Sequence, residues 1–183
     1  MKVRTRNLNR ISQGDVYKEV EFLEYIVEKE GNIEISKIVF PLVIVLTQDC
    51  DLAQDFKFRF GRPRPTTQDK LLLSVLVAPL YNVEHLYLGE HLSQLDIQMS
   101  TINKGRTPGE NLRKNETPRY HYIEFPDDVQ VVPSVIDFKH YFSVNVQYLK
   151  RIKDTHFVCT VSPLYREDIS QRFASFLSRI GLP

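Results

Sequence analysis

A cysteine set between two carboxylates, Asp49-Cys50-Asp51, follows the apolar, largely β-branched run from Phe40 to Leu46. A nucleophilic cysteine needs its thiolate stabilised by a cation or by the positive end of a helix, whereas flanking carboxylates oppose that negative charge. Five histidines (His85, His91, His121, His140 and His156) are potential partners for such a thiol, and their spacing selects none of them. Cysteine is also among the most buried residue types, and aspartate is a preferred turn former after a strand. The expectation is therefore a buried Cys50 at a strand end, with Asp49 and Asp51 holding a turn, and a Cys50-dependent enzyme as the third functional class. Asp49, Asp51 and Asp55 lack the glycine and terminal glutamate of a calcium loop, and no histidine pair has the spacing of a zinc helix. Neither a metal nor a cofactor is expected.

Basic and aromatic residues supply a second candidate. In the segment from Phe56 to Pro65, Phe56, Phe58 and Phe60 alternate with Lys57 and Arg59, and Arg62 and Arg64 follow. Read as an extended segment, this places rings on one side and cations on the other. Such a surface can stack bases and neutralise phosphates, which makes Lys57, Arg59, Arg62 and Arg64 the candidate nucleic-acid-binding residues. The commoner meaning of alternation is a hairpin whose phenylalanines cover a core while its cations face water. A further basic group, Lys104, Arg106, Arg113, Lys114 and Arg119, is diluted by Glu110 and Glu116 and reads as a solvated loop.

The elements that must position these residues follow from composition and pattern. At 183 residues and 42% hydrophobic content the chain suits one domain, residues 11–183, preceded by a flexible basic arm over residues 1–10. The net charge of +1 excludes a general basic field, so any nucleic-acid contact must be a local patch. There is neither a signal-peptide pattern nor a twenty-residue apolar span, and two distant cysteines suit reduced thiols, so the cytoplasm is expected and a membrane is not. Val16, Val20, Phe22 and Ile26 predict a strand rather than a helix over 17–29, turned at Gly31-Asn32 into a neighbouring strand that ends in the fully apolar Leu42 to Leu46. A second fully apolar strand runs over 70–81. Leu86, Leu92, Leu95 and Met99 predict a helical stretch over 82–103 broken at Gly89. Segments 119–126 and 129–138 read as strands, 141–152 as strand or helix, and 155–162 as a strand with Phe157, Cys159 and Val161 on one face. Ser162 and Pro163 start a C-terminal helix with Ile169, Phe173, Phe176, Leu177 and Ile180 as its stripe, closed by Gly181 and Pro183.

Three pieces in order, Gln13 to Phe22, Pro41 to Asp51 and Leu71 to Tyr81, resemble the MazF and PemK toxin family. The resemblance spans roughly the first eighty residues and implies an SH3-like barrel and metal-free cleavage of single-stranded RNA. It places Ser74 at the family's catalytic hydroxyl, while Phe40 stands where the family has an arginine. The expected fold is α+β: an SH3-like barrel or strongly bent antiparallel sheet with a middle helix and a C-terminal helix packed on it. The expected function is nucleic-acid binding related to these toxins, with endoribonuclease activity as its enzymatic form. The alternative is a non-enzymatic interaction subunit of a larger complex. The partner is accordingly single-stranded nucleic acid or a larger protein, with a homodimer as a further assembly.

Overall fold

The computed structural model describes residues 3–5, 9–63 and 66–179. Arg64, Ile180, Gly181 and Pro183 lie outside the described residues. In chain order the elements are β1 (Val3–Arg4), β2 (Asp15–Lys29), β3 (Asn32–Val45), α1 (Asp49–Phe60), β4 (Ser74–Asn82), α2 (Val83–Leu88), α3 (Gly109–Leu112), β5 (Tyr120–Ile123), β6 (Ser134–Asp137), β7 (Phe142–Asn145), α4 (Val146–His156), β8 (Phe157–Val161) and α5 (Pro163–Leu177). The fold is α+β. Its sheet is antiparallel, ordered β1-β8-β2-β3-β4-β6-β5 with β7 also on β4, and curls strongly into a half-barrel. No described helix is long and apolar enough to cross a membrane.

The continuous apolar runs are explained by two cores. Along β3, Ile44 and Leu46 enter one core with Val161 of β8 and Ile169 and Phe173 of α5, while Val43 and Val45 enter the other with Leu52 of α1 and Leu149 of α4. β4 divides likewise, Ala78 and Leu80 to the first core and Val75 and Val77 to the second. A strand covered on both faces needs apolar side chains at every position. Each fully buried valine or leucine contributes about 1.5–3 kcal/mol. The pairing of β2 as a strand antiparallel to β3 matches expectation, and β4 pairs β3 on its other side.

Beyond this shared base, β2 and β3 continue as a two-stranded ribbon. β8 pairs β2 only at Asp15–Tyr17 and β4 pairs β3 only at Val43–Val45, but the β2–β3 ladder runs on to Lys29↔Asn32. Glu30 and Gly31, both at positive φ (52° and 76°), close it as a two-residue hairpin, the geometry that suits the right-handed twist of its strands.

Three expectations need correction. Residues 49–60 form helix α1, not a turn followed by an extended segment: Asp49 and Asp51 occupy its first turn and Lys57 and Arg59 its last, as the helix dipole favours. Phe56 and Phe60 are an i,i+4 pair with centroids 5.1 Å apart, so their alternation also fits a helix. Cys50 is exposed on this helix, and Cys159 is the buried thiol. The helical stretch over 82–103 is only α2 and a 3-10 turn at Ser93–Leu95. Gly89 (φ 74°) ends α2, and a Cβ there would lie 2.3 Å from the Met99 carbonyl oxygen. For segment 141–152, left open between strand and helix, both hold: β7 passes into α4 at Asn145, whose side chain accepts from the Gln147 and Tyr148 amides.

Candidate functional site

β3 and β4 pair from Val45↔Val77 to Val43↔Pro79 and then part. Pro79 is the last β4 residue in this ladder, and Pro41 lies on the diverging stretch of β3. The opening is a groove of about 680 Å³, roofed by the segment after α2. Its walls include the consecutive residues 37–42 of β3 and 79–82 of β4. Side chains of consecutive strand residues point to opposite faces, so a cavity touching all of them runs along the strand edges. Among the described residues, neither 37–42 of β3 nor 80–82 of β4 has a ladder partner across the β3–β4 seam. The volume is typical of ligand sites.

One end of the groove carries a polar network. Asp137, with no exposed surface, closes β6 and is clamped by Arg119, whose Nε donates to Oδ1 at 2.8 Å and Nη2 to Oδ2 at 2.5 Å. The Lys139 amide also donates to Asp137 Oδ1 at 3.0 Å. His140 Nδ1 stands 3.4 Å from Asp137 Oδ2 and 3.1 Å from the Tyr81 hydroxyl. Tyr81 lines the groove, and the His91 ring packs edge-on against it with centroids 4.8 Å apart. Both His91 ring nitrogens are buried, and the His85 backbone lies close enough to favour the charged ring.

Burial sets the protonation states. It pushes His91 and His140 below the ordinary imidazole range, against the nearby Asp137 charge, so both rings are neutral near pH 7. Burial, with Asp137 adding to it, raises the Tyr81 phenol. His140 Nδ1 lies within reach of both the Tyr81 hydroxyl and Asp137 Oδ2, and the His140 tautomer sets which partner donates. The groove wall thus carries the Tyr81 phenol and the neutral His91 ring. No three His, Cys, Asp or Glu side chains converge as a metal site requires among the described residues.

The residues singled out from sequence lie elsewhere. Ser74 is exposed at the start of β4 opposite Asn145, and neither it nor Cys50 lines the groove. The Cys50 thiol faces Gln48 Oε1 at 3.6 Å and Asp51 Oδ1 at 3.7 Å. Arg59 is internal to the fold: its Nε donates to Asp55 at 2.8 Å and its Nη2 to the Leu72 carbonyl at 2.5 Å. Lys57 and Arg62 are exposed. The α1 end gains a cation the sequence did not suggest, Lys150 of α4, whose Nζ is 3.1 Å from the Phe60 ring centroid. Asp49 binds Arg10 through both carboxylate oxygens, at 3.0 and 2.8 Å, and Arg166 at 3.4 Å. Burial alone would raise the Asp49 carboxyl, but these guanidiniums, Arg10 foremost, hold it below the usual range. Asp137, Arg119, His91, His140 and Tyr81 are spread over sixty residues, and only the Asn82 and Asp137 caps gave a local signal of where the chain turns around them. No family model matches the chain, and no curated protein matches its sequence.

Proposed function

We propose that this protein is an interaction subunit that recognises a partner polypeptide through the β2–β3 ribbon. The observation that carries this reading is the ribbon's surface. Leu23, Tyr25, Ile26, Ile33, Ile35 and Val39 are all exposed, Ile33 at 69%, on a hairpin that leaves the sheet with both outer edges unpaired among the described residues. Isolated two-stranded ribbons are marginal in water, and contiguous exposed apolar side chains mark interaction sites. Residues 18–42 carry six glutamates and three lysines, so the partner surface is apolar with a basic margin. Full-length tagged protein purified from its native cells is expected to carry one stoichiometric, basic-surfaced partner that is lost from the double variant Ile26→Ser, Ile35→Ser. Retention of that partner by the variant, or a second copy of this chain in its place, contradicts the reading.

A second reading, single-stranded nucleic-acid binding by a relative of the MazF and PemK toxins, is supported by the α1 end. There Phe60, 49% exposed, lies beneath Lys150, with Lys57 and Arg62 near in sequence. Binding to a short oligouridylate should then weaken steeply with salt, and each of Lys57→Ala and Arg62→Ala should flatten that slope by roughly 0.7.

A further inference from the structure

We infer that the groove between β3 and β4 takes an extended segment of a polypeptide partner as an added strand on the β3 edge; this rests on the ribbon reading above and gives that partner its chemistry. The edge from Lys37 to Leu42 lies beside an open groove and has no neighbour on that side among the described residues. A run of six residues spans about 20 Å at roughly 3.3 Å per residue, the length of an ordinary strand. An exposed edge of this kind is a template for main-chain pairing, and a protein that keeps one open beside a preformed groove has a partner for it.

The groove also sets side-chain requirements. Ile38, Phe40, Leu42, Leu92 and Leu95 give it apolar walls, which select apolar residues on the incoming strand. At the far wall the His91 and Tyr81 rings pack edge to face, and Asn82, Ser93 and Gln94 add uncharged polar groups to the lining. Uncharged polar side chains and the peptide backbone of the incoming strand match these groups. Glu24 and Glu90 on the lining, set against Lys37, together with the acidic ribbon, favour basic residues flanking the segment. The occupant is therefore a stretch of about six apolar and uncharged polar residues with basic flanks. A second copy of the ribbon is disfavoured, because its surplus of glutamates would meet the same charge.

The test is selection from a displayed random nonapeptide library on the full-length protein, followed by titration of the enriched peptides as free synthetic chains. Enriched peptides should show an apolar centre and basic flanks. N-methylation at alternate backbone amides should weaken binding at least tenfold in one of the two phases and little in the other, because only one set of amides faces β3. Ser93→Trp, an exposed position on the groove lining, should abolish binding, and His91→Phe should weaken it, with both variants keeping wild-type circular dichroism. Ile26→Ser with Ile35→Ser should leave peptide binding intact while losing the full partner, so failure of the ribbon reading and failure of the groove inference give different results. No enrichment, or peptides whose binding ignores both N-methylation phases, overturns the inference.

Discussion

On the α1 face Asp55 accepts from Arg59 Nε and the Leu72 amide, Arg59 goes on to the Leu72 carbonyl, and Asp49 is enclosed by Arg10, Gln13 and Arg166. On the groove face Asp137 is enclosed just as tightly by Arg119 and Lys139, yet the chain of contacts continues through His140 and Tyr81 to the His91 ring on the groove lining. Both faces bury carboxylates against arginines. The difference is where the network stops: inside the protein at α1, and at an open groove beside β3. A charged cluster whose members satisfy one another holds elements together, whereas one that leaves polar capacity facing a cavity is equipped for a ligand.

The largest expected effect separates scaffold from surface on the α1 face. Asp55→Ala strands the partly buried Arg59 guanidinium and the Leu72 amide and should cost about 3 kcal/mol in urea unfolding. Lys57→Ala, two residues away on the exposed face of the helix, should stay within about 0.5 kcal/mol. Equal, small effects would return Arg59 to the solvent-facing role read from sequence.

Acid should loosen the groove side of the molecule first. The imidazoles held below their ordinary range are His91, His140 and, on β5, His121, which burial lowers to about 3 with Arg172 adding to it. A folded-state value below the unfolded value means that stability is complete above the unfolded pKa, near 6.5, and is lost as pH falls toward the folded one. At pH 4 the His121 share of that loss is about 3 kcal/mol, from the gap between pH 4 and an unfolded pKa of about 6.5. His121→Phe should therefore flatten the fall in Tm between pH 7 and 4. An unchanged pH profile would place the acid sensitivity elsewhere.

His91→Phe sharpens the comparison further. Replacing two buried ring nitrogens by carbon should stabilise the ligand-free protein by about 1 kcal/mol while weakening groove binding, the exchange of stability for function expected of a site residue. Destabilisation of that size would make His91 part of the scaffold. The smallest effect concerns the thiols. Cys50→Ala should change stability by less than about 0.5 kcal/mol. Native alkylation at pH 8 should modify exposed Cys50 within minutes and spare Cys159, which burial pushes up to about 12.

The cores and the pairing of β2, β3 and β4 were legible because period-two and fully apolar runs report burial directly, as did Ser162-Pro163 at the start of α5. The α1 helix was missed because Phe56, Phe58 and Phe60 satisfy a strand pattern, while the acidic first turn and basic last turn went unweighed. The groove had no local signature. Tyr81, His91, Arg119, Asp137 and His140 meet only because β4 pairs β6 and the chain doubles back at Gly89, and single-sequence periodicity carries no information about such long-range convergence.

The central claim is that the ribbon, and not the α1 end, is the recognition surface. Placing a photoreactive benzophenone side chain at Ile35 in one version of the full-length protein and at Phe60 in another, then irradiating in native cells, compares the two surfaces directly. A discrete cross-link to one polypeptide of different sequence is expected from Ile35 and none from Phe60. Cross-linking of Phe60 to RNA with nothing captured at Ile35 would contradict it.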